Sequence, residues 1–553
     1  MSNKTASSFS DSENRQRSES DLHTYIVAFC ILISRISGLI RELLFAYFLG
    51  TSAFSDALKA ALRIPNFLQN LFGEGVLSAS FIPVYAKLNK EGKNQERIKL
   101  AKEVGILVLC LSTFLVSLGL IFSQSLVSIF APGFDQATSE ICRKLLILIF
   151  PGVGLLTLSA WCLAILNSHR FFALSYSAPI FWNLSVILPL SGLLIWANID
   201  NNYALPEIEQ ITLLCGYLIL IGSSLQLFVQ IPKTISLLKN NDNQAVKNEV
   251  FLSSHTKEVI RNFVPVFIGR GAVQISAYID TIVASFLVTG SLSVLMYAQT
   301  IFLLPISVFA MAISAAELPA LSEESSDAES SRIFKLIDRL RSAENRVFFF
   351  CIPCSILFMH SSSGIISLVF GSGAFDARSV NLVGGMLMVL GGGLVPAALS
   401  RLYASSLFAV MKQKTVSRIA IIRILAGTIT GILLCFYVLP DLRVDDSYII
   451  LGLGIGATFG SLVELVLLIF PLRKITEYKF LPVIRSEFLL VISASYASLI
   501  SGKLLFNTSP DRIYTIFSLT YFVMSYFLFS YLLRVSEARS IIARIKKLFI
   551  SSR

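Results

Sequence analysis

The sequence predicts an all-α polytopic membrane protein, with about fourteen transmembrane helices in two six-helix lobes followed by two C-terminal helices. Hydrophobic residues make up 54% of the 553 residues and charged residues only 15%, whereas soluble domains carry about 25% charged residues. Apolar runs of about 20 residues, each long enough to span a bilayer, recur along the chain. The net charge of +11 lies in alternate loops, which argues against a nucleic-acid partner.

The apolar runs place the spans in order along the chain. They lie near 24–48, 53–86, 104–131, 143–167, 172–197, 209–231, 259–289, 292–319, 345–370, 380–410, 416–439, 448–471, 482–504 and 513–534. An even number of spans puts both termini on the same side of the membrane. The segment Lys87–Glu103 after the second span contains six Lys or Arg, whereas the opposite loops are neutral or acidic. The positive-inside rule therefore places both termini in the cytoplasm.

A faint internal repeat divides the chain. Gly50 and Pro65 recur as Gly290 and Pro305 at an offset of 240 residues, as expected for a transporter built from two repeated bundles. The predicted parts are a disordered cytoplasmic extension (1–22), an N-lobe of spans one to six (23–231), a cytoplasmic linker (232–258), a C-lobe of spans seven to twelve (259–472), spans thirteen and fourteen (473–535) and a basic amphipathic tail (536–553). We expect the tail to lie on the anionic inner leaflet, with a solvated basic tail as the alternative.

The first two spans carry charges where lipid disfavours them. The intramembrane cations are Arg35, Arg41, Lys59, Arg63 and Arg270, and the anions are Glu42, Asp56, Glu74 and Asp280. Such groups face a bundle interior or a wet cavity, because exposure to lipid costs several kcal/mol. The cations are in slight excess, and guanidinium groups bind phosphate oxygens bidentately. The charges therefore favour a cavity for a lipid-linked diphosphate, while internal pairs such as Arg35 with Glu42 and Asp56 with Arg63 remain the alternative.

No motif in the sequence indicates catalysis. The four histidines are scattered and no Walker sequence is present, so we predict no catalytic residue, cofactor or metal. The pair Cys351 and Cys354 lies in an apolar run without a second pair, which favours packing over a redox or metal site. In the twelfth span, Gly452, Gly456 and Gly460 form a small-residue face typical of close helix packing.

The first two spans read SRISGLIRELLFAYFLGTSAFSDALKAALRIPNFLQNLFGEGVLSASFIPVYAKL. This stretch resembles the opening of the MurJ/MviN family, the proposed lipid II flippases of bacterial peptidoglycan synthesis. The resemblance continues in PVFIGRGAVQISAYIDTIVASFLVTGSLSVLMYAQ, SLVFGSGAFDARSV and SRLYASSLFAVMKQKTVSRIAI, and covers spans one to eleven. It implies fourteen spans, membership of the MOP exporter group and transport by alternating access.

Matched residue by residue, the resemblance implies that Arg35, Arg41, Asp56, Arg63 and Glu74 line the substrate cavity. The chain departs from the family's pattern in two places. Gln69 and Asn70 replace basic residues, and Thr300 stands where an arginine is usual. We hypothesise that Arg270 of the seventh span restores the missing charge, and we add Asp280 of the same span to the predicted substrate-binding residues. Arg423 is also out of pattern at a position linked to cation binding in some relatives, so no metal site is carried over.

The sequence therefore predicts a flippase that moves lipid II across the bacterial cytoplasmic membrane. Its predicted partners are lipid II and membrane lipids, with cell-wall synthesis enzymes as further candidates. One alternative is a MOP exporter of another polyprenyl-linked oligosaccharide or of an amphiphilic drug. The other is a non-transporting scaffold for cell-wall synthesis, which would tolerate loss of Arg35 and Arg41.

Overall fold

The computed structural model describes residues 29–72, 77, 79–199, 205–239, 252–310, 329–409, 412–476, 486–505 and 512–551. These residues are almost entirely helical, and none of them lies in a β-strand. The all-α prediction is therefore confirmed. The predicted extension 1–22 and the middle of the predicted linker lie outside the described residues.

The chain divides into two compact units, residues 1–278 and 279–553. The helices of the first unit are α1 (29–49), α2 (Ala53–Phe72), α3 (Ile82–Lys90), α4 (Asn94–Ile121), α5 (Ser123–Phe130), α6 (Gln136–Ser168), α7 (Phe172–Ile199), α8 (Ile208–Leu238) and most of α9 (Ser254–Ser285). Helix α6 is central, because α2, α4 and α8 all pack against it. Glycines on α6 allow this approach: a Cβ on Gly152 would lie 2.8 Å from the Ser223 hydroxyl of α8.

The second unit is organised around one long helix. Its helices are α10 (Ser291–Pro305), α11 (Glu329–Phe370), α12 (Ala377–Gly392), α13 (Leu394–Ala409), α14 (Gln413–Leu433), α15 (Leu451–Thr476), α16 (Ser486–Leu505), α17 (Arg512–Leu532) and α18 (Ser536–Ser551). Helix α11 packs against α12, α13, α16 and α17. A non-helical backbone conformation at Ser361 kinks α11. π-Helical turns extend α10 over Ile306–Ala310 and α14 over Leu434–Val438.

Nine helices in the described part of the chain are long and apolar enough to cross a membrane, and the bent pair α12–α13 adds a tenth if it forms one span. Helices α1 and α2 are not among them, because each carries three charged side chains. The count of fourteen spans therefore stays a prediction, while a polytopic helical architecture is confirmed.

Two of the predicted spans are interrupted. The predicted span 53–86 contains both α2, which ends at Phe72, and α3, which begins at Ile82. Pro83 lies in the first turn of α3, where its missing N–H would have no helical partner in any case. The predicted span 380–410 bends by 46° between α12 and α13. Pro396 follows this bend and cannot donate the helical hydrogen bond that would continue α12.

The small-residue face predicted in the twelfth span is a site of close helix packing, as expected. A Cβ on Gly452 would lie 2.8 Å from the Cys435 sulfur, and a Cβ on Gly460 would lie 2.9 Å from the Arg423 carbonyl oxygen. Only glycine at these positions lets α14 and α15 approach so closely.

Candidate functional site

A tight turn brings the charged faces of α1 and α2 together. Gly50 has φ of 55°, in the left-handed region that glycine adopts without steric cost. The hydroxyl of Ser52 donates to the Leu49 carbonyl at 2.7 Å and accepts from the Ser55 N–H at 3.4 Å, which begins α2. Charged side chains on the two helices can therefore meet across a short connection.

Glu42 of α1 is the centre of a buried ion network. Its carboxylate accepts a hydrogen bond from Arg41 Nη2 at 2.7 Å and a second from Lys59 Nζ on α2. Lys59 is only 2% exposed and Glu42 8%. Burying these groups is tolerable because each charge has an opposite charge beside it. Two cations, Arg41 and Lys59, thus share the Glu42 carboxylate.

Arg41 also bonds to α7, where Asn183 and Trp182 hold its guanidinium. Arg41 Nη1 donates to Asn183 Oδ1 at 2.9 Å, and the guanidinium carbon lies 4.5 Å from the Trp182 ring centroid. Asn183 Nδ2 donates in turn to Ser37 Oγ at 2.8 Å, so hydrogen bonds on both sides fix the Asn183 amide. The Arg41 side chain keeps 16% exposure, and its Nε has no hydrogen-bond partner among the described residues. An added anion can reach the exposed part of the Arg41 side chain, whereas Nε itself is buried.

The structure corrects one of the internal pairs considered from the sequence. Arg35 is exposed on α1 and forms no ion pair within the described residues, whereas Glu42 pairs with Arg41 and Lys59. The reason is distance: seven residues along a helix separate Arg35 from Glu42 by about 10 Å. Sharing a helical face was not enough to bring these two side chains into contact.

The remaining predicted site residues lie in several places. Asp56 is buried on α2, and Arg63 is half-buried on the same helix, where its carbonyl accepts from the Tyr278 hydroxyl at 2.8 Å. Asp280 is half-buried in the second unit. Arg270 belongs to α9, but its side chain lies outside the described residues, as does Glu74 entirely.

Sequence reasoning overlooked two residues of this site, Trp182 and Asn183. The available signal was the run FWNLSVILPL in the fifth span, where a single asparagine interrupts an apolar sequence. Such an amide needs a polar partner in the membrane. The sequence could not indicate that Arg41 is that partner, because 142 residues separate the two.

A second polar cluster lies where α6 ends, and we call Tyr85, Arg97 and His169 the His169 cluster. Arg97 Nη1 lies 2.6 Å from His169 Nε2 and 3.3 Å from the Tyr85 hydroxyl. Arg97 can only donate, so the short contact requires an unprotonated Nε2. Burial and the neighbouring Arg97 charge lower the pKa of His169 below its usual value.

Other candidate centres have structural explanations. Arg423 pairs with Glu464 at 3.3 Å, and within the described ranges no group of side chains is arranged to hold a metal ion. The thiols of Cys351 and Cys354 are not joined in a disulfide. This arrangement is consistent with the packing role predicted for the pair.

Comparisons with known proteins point to one family. The family model described as "Lipid II flippase MurJ" matches residues 45–531. The chain is 27% identical over 485 residues to a probable lipid II flippase MurJ of Buchnera aphidicola subsp. Acyrthosiphon pisum, covering 87% of this chain and 88% of that protein. It is 27% identical over 452 residues to the lipid II flippase MurJ of Burkholderia cenocepacia, covering 80% and 82%.

Solved structures share the fold. A structure described as lipid II flippase MurJ in an inward closed conformation superposes with a TM-score of 0.72 at 24% identity, covering 94% of this chain and all of that one. An inward-facing MATE-family transporter of the MOP superfamily gives a TM-score of 0.62 at 14% identity, covering 82% and 99%. The fold is therefore that of MurJ and MATE membrane transporters.

Proposed function

The chain belongs to the MurJ family of lipid II flippases, and we propose that it moves lipid II from the cytoplasmic to the periplasmic leaflet of the bacterial cytoplasmic membrane. The substrate is the polyprenyl diphosphate-linked disaccharide-peptide, and its movement breaks no covalent bond. Without a nucleotide-binding motif in the sequence, the driving force is the membrane potential or an ion gradient. Other membrane lipids and cell-wall synthesis enzymes are the further proposed partners.

One observation carries this proposal: two cations, Arg41 of α1 and Lys59 of α2, share the single buried carboxylate of Glu42. A diphosphate needs cationic partners when it leaves water, and Arg41, whose side chain keeps 16% exposure, is the cation of the network that the diphosphate can reach. Guanidinium–phosphate hydrogen bonds are charge-assisted and about twice as strong as neutral ones. Glu42 holds Arg41 in place until the substrate competes for it.

The other predicted cavity residues complete the proposed substrate path. Arg35, which is exposed on α1, would meet the head group first, and Asp56 and Arg63 would contact it deeper along α2. Glu74, Arg270 and Asp280 would contribute the remaining charges. The two six-helix lobes, 23–231 and 259–472, would rock about this path in alternating access, while the C-terminal pair α16–α17 shelters the polyprenyl tail. In this proposal both termini lie in the cytoplasm.

Complementation tests this function in cells. We expect wild-type protein to restore growth when a host's own lipid II flippase is depleted, and Arg41→Ala to fail at equal membrane expression. Arg418→Ala is the matched control, because Arg418 is an exposed arginine of α14. Growth with Arg41→Ala would refute the proposed role of this arginine and favour a scaffold. Failure of well-expressed wild type in hosts from several lineages would count against the flippase itself.

The same assay tests the proposed substitution of Arg270 for the arginine missing at Thr300. Thr300 is half-buried, and its hydroxyl donates to the Met296 carbonyl of its own helix at 2.9 Å. We expect Arg270→Ala to abolish complementation and the double variant Arg270→Ala, Thr300→Arg to restore it. A double variant that remains inactive while Thr300→Arg alone is active would contradict the compensation.

A further inference from the structure

The end of the last predicted span forms a cleft with α18 that no step of the proposed transport uses. Its volume is about 430 Å³, and it is lined by Tyr531, Leu532, Arg534, Arg539, Ile542 and Ala543. We call it the α17–α18 cleft. This volume lies within the range of small-molecule sites, roughly 300–1,000 Å³. Among the residues whose side chains the structure describes, the lining combines two arginines with mainly apolar side chains and includes no carboxylate.

Arg534 has a backbone conformation that most side chains avoid. Its φ is 66°, at the helix-ending position where glycine is usual. The Val535 N–H donates to the Ser530 carbonyl at 2.9 Å and the Arg534 N–H to the Tyr531 carbonyl at 3.1 Å, which closes α17. At this position the strained residue directs a charged side chain into the cleft lining.

The cleft lies where the chain leaves the apolar layer. Helix α17 is long and apolar enough to cross a membrane and ends at Leu532. The sequence of α18 is amphipathic, with apolar Ile541, Ile542 and Ile545 and basic Arg539 and Arg544. Such a helix lies in the interface at the depth of lipid phosphates, where tyrosine is also common. The lining thus offers guanidinium groups for a phosphate and apolar side chains for an acyl chain.

We propose that the α17–α18 cleft binds an anionic phospholipid, with Arg534 and Arg539 holding the headgroup phosphate and Leu532 and Ile542 contacting the start of an acyl chain. Arginine suits this role because its planar donors match phosphate oxygens. Because the described lining contains two arginines and no carboxylate, the cleft favours a lipid of net negative charge over a zwitterionic lipid. This site is separate from the Arg41–Glu42–Lys59 network, which lies in the other unit, and its existence does not depend on the proposed function.

The chain supplies a matched control for Arg534. Arg443 also has a left-handed backbone, with φ of 54°. It closes a helix by the same pair of hydrogen bonds, from Arg443 N–H to Pro440 and from Val444 N–H to Leu439. Arg443 is not part of the cleft lining. Replacing either arginine by glycine relieves the same backbone strain, so only the lipid site distinguishes the two variants.

Native mass spectrometry of the full-length protein in detergent tests the proposal. We expect phosphatidylglycerol to bind more tightly than phosphatidylcholine with identical acyl chains. Arg534→Gly and Arg539→Gln should each weaken phosphatidylglycerol binding by about tenfold, while Arg443→Gly binds it as wild type does. Inorganic phosphate at millimolar concentration should leave the bound lipid in place.

Three results would overturn the proposal. Equal binding of the two lipids would remove the charge selectivity, and wild-type binding by Arg534→Gly and Arg539→Gln would place the lipid elsewhere. Full displacement by inorganic phosphate would identify a site for free phosphate rather than lipid. If Arg443→Gly weakened phosphatidylglycerol binding as much as Arg534→Gly does, the effect would belong to helix ends in general. That result would likewise refute the assigned site.

Discussion

Lys59 is the one buried lysine in the described part of the chain: it is 2% exposed, and its ammonium donates to Glu42. Its removal leaves the buried Glu42 carboxylate with Arg41 as its cation in the network, so part of the cost of burying that carboxylate is no longer offset. We therefore expect Lys59→Met to lower the midpoint of thermal unfolding in detergent. Lys87→Met, which changes an exposed lysine of α3, should leave the midpoint unchanged.

The double variant Glu42→Gln, Lys59→Met separates pairing from packing. Glu42→Gln also takes the carboxylate from Arg41, so we expect the double variant to unfold at a lower temperature than Lys59→Met alone. If Lys59→Met and Lys87→Met unfold at the same temperature, the pair contributes nothing to the fold.

His169 makes stability sensitive to acid. Its pKa is lowered by burial and by Arg97, whereas in the unfolded chain it is close to 6.5. Below pH 6.5 the unfolded chain therefore binds a proton that the folded chain resists, and stability falls as the pH decreases. We expect the midpoint temperature of unfolding to decrease as the pH is lowered from 7 to 5. The decrease should be smaller for His169→Gln.

His255→Gln serves as the control, because His255 contacts Glu96 at 3.0 Å, outside the His169 cluster. With His255→Gln, the unfolding midpoint should still decrease at low pH as it does in wild type. An identical pH profile for wild type and His169→Gln would contradict this assignment.

At the scale of the helices, the packing of α14 on α15 depends on Gly456. A Cβ there would lie 2.4 Å from the Gly427 carbonyl oxygen and 2.7 Å from the Gly431 nitrogen. Both are backbone atoms, so the helices themselves would have to separate. We expect Gly456→Ala to destabilise the protein by about 1–3 kcal/mol, measured as a lower unfolding midpoint in detergent.

Gly192 of α7 gives the matched control, since a Cβ there would meet no heavy atom within 4 Å. Gly192→Ala should be neutral or slightly stabilising, because alanine has the higher helix propensity. If the two alanine variants unfold alike, the close approach of α14 and α15 does not limit stability.

The helices were predictable from the sequence because lipid imposes a simple requirement: a spanning segment must be apolar and about 20 residues long. Apolar content alone could not predict the interruptions. The bend between α12 and α13 depends on Pro396 and its neighbours, whose effect on direction is set by packing. In the site, the charges of Arg41 and Glu42 were predictable, but the contacts of Lys59 and Asn183 were not, since both cross between helices.

At the scale of the whole molecule, the internal repeat has a counterpart in backbone conformation. Gly50 and Gly290 both have positive φ, 55° and 92°, and each lies just before a helix that contains a proline, Pro65 or Pro305. The same offset of 240 residues pairs Arg41 with Thr281 and Lys59 with Gln299. The cations of the network therefore occur in only one repeat.

This asymmetry suits the proposed function. A substrate with one diphosphate needs only one such network, and the matched positions of the second repeat carry no cation. In the second unit, Thr281 is buried and Gln299 half-buried. The two repeats thus share a backbone pattern but differ in charge at these positions.

In the proposed function this chain transports lipid II, and Arg41 holds the diphosphate during transport. The most direct measurement is the appearance of labelled lipid II in the outer leaflet of proteoliposomes that contain the purified protein, under an imposed membrane potential. We predict translocation well above that of protein-free liposomes for wild type and Arg418→Ala, and translocation near the protein-free rate for Arg41→Ala. If wild type translocated lipid II no faster than protein-free liposomes, the transport function would be contradicted. If Arg41→Ala translocated it as fast as wild type, the assigned site would be contradicted.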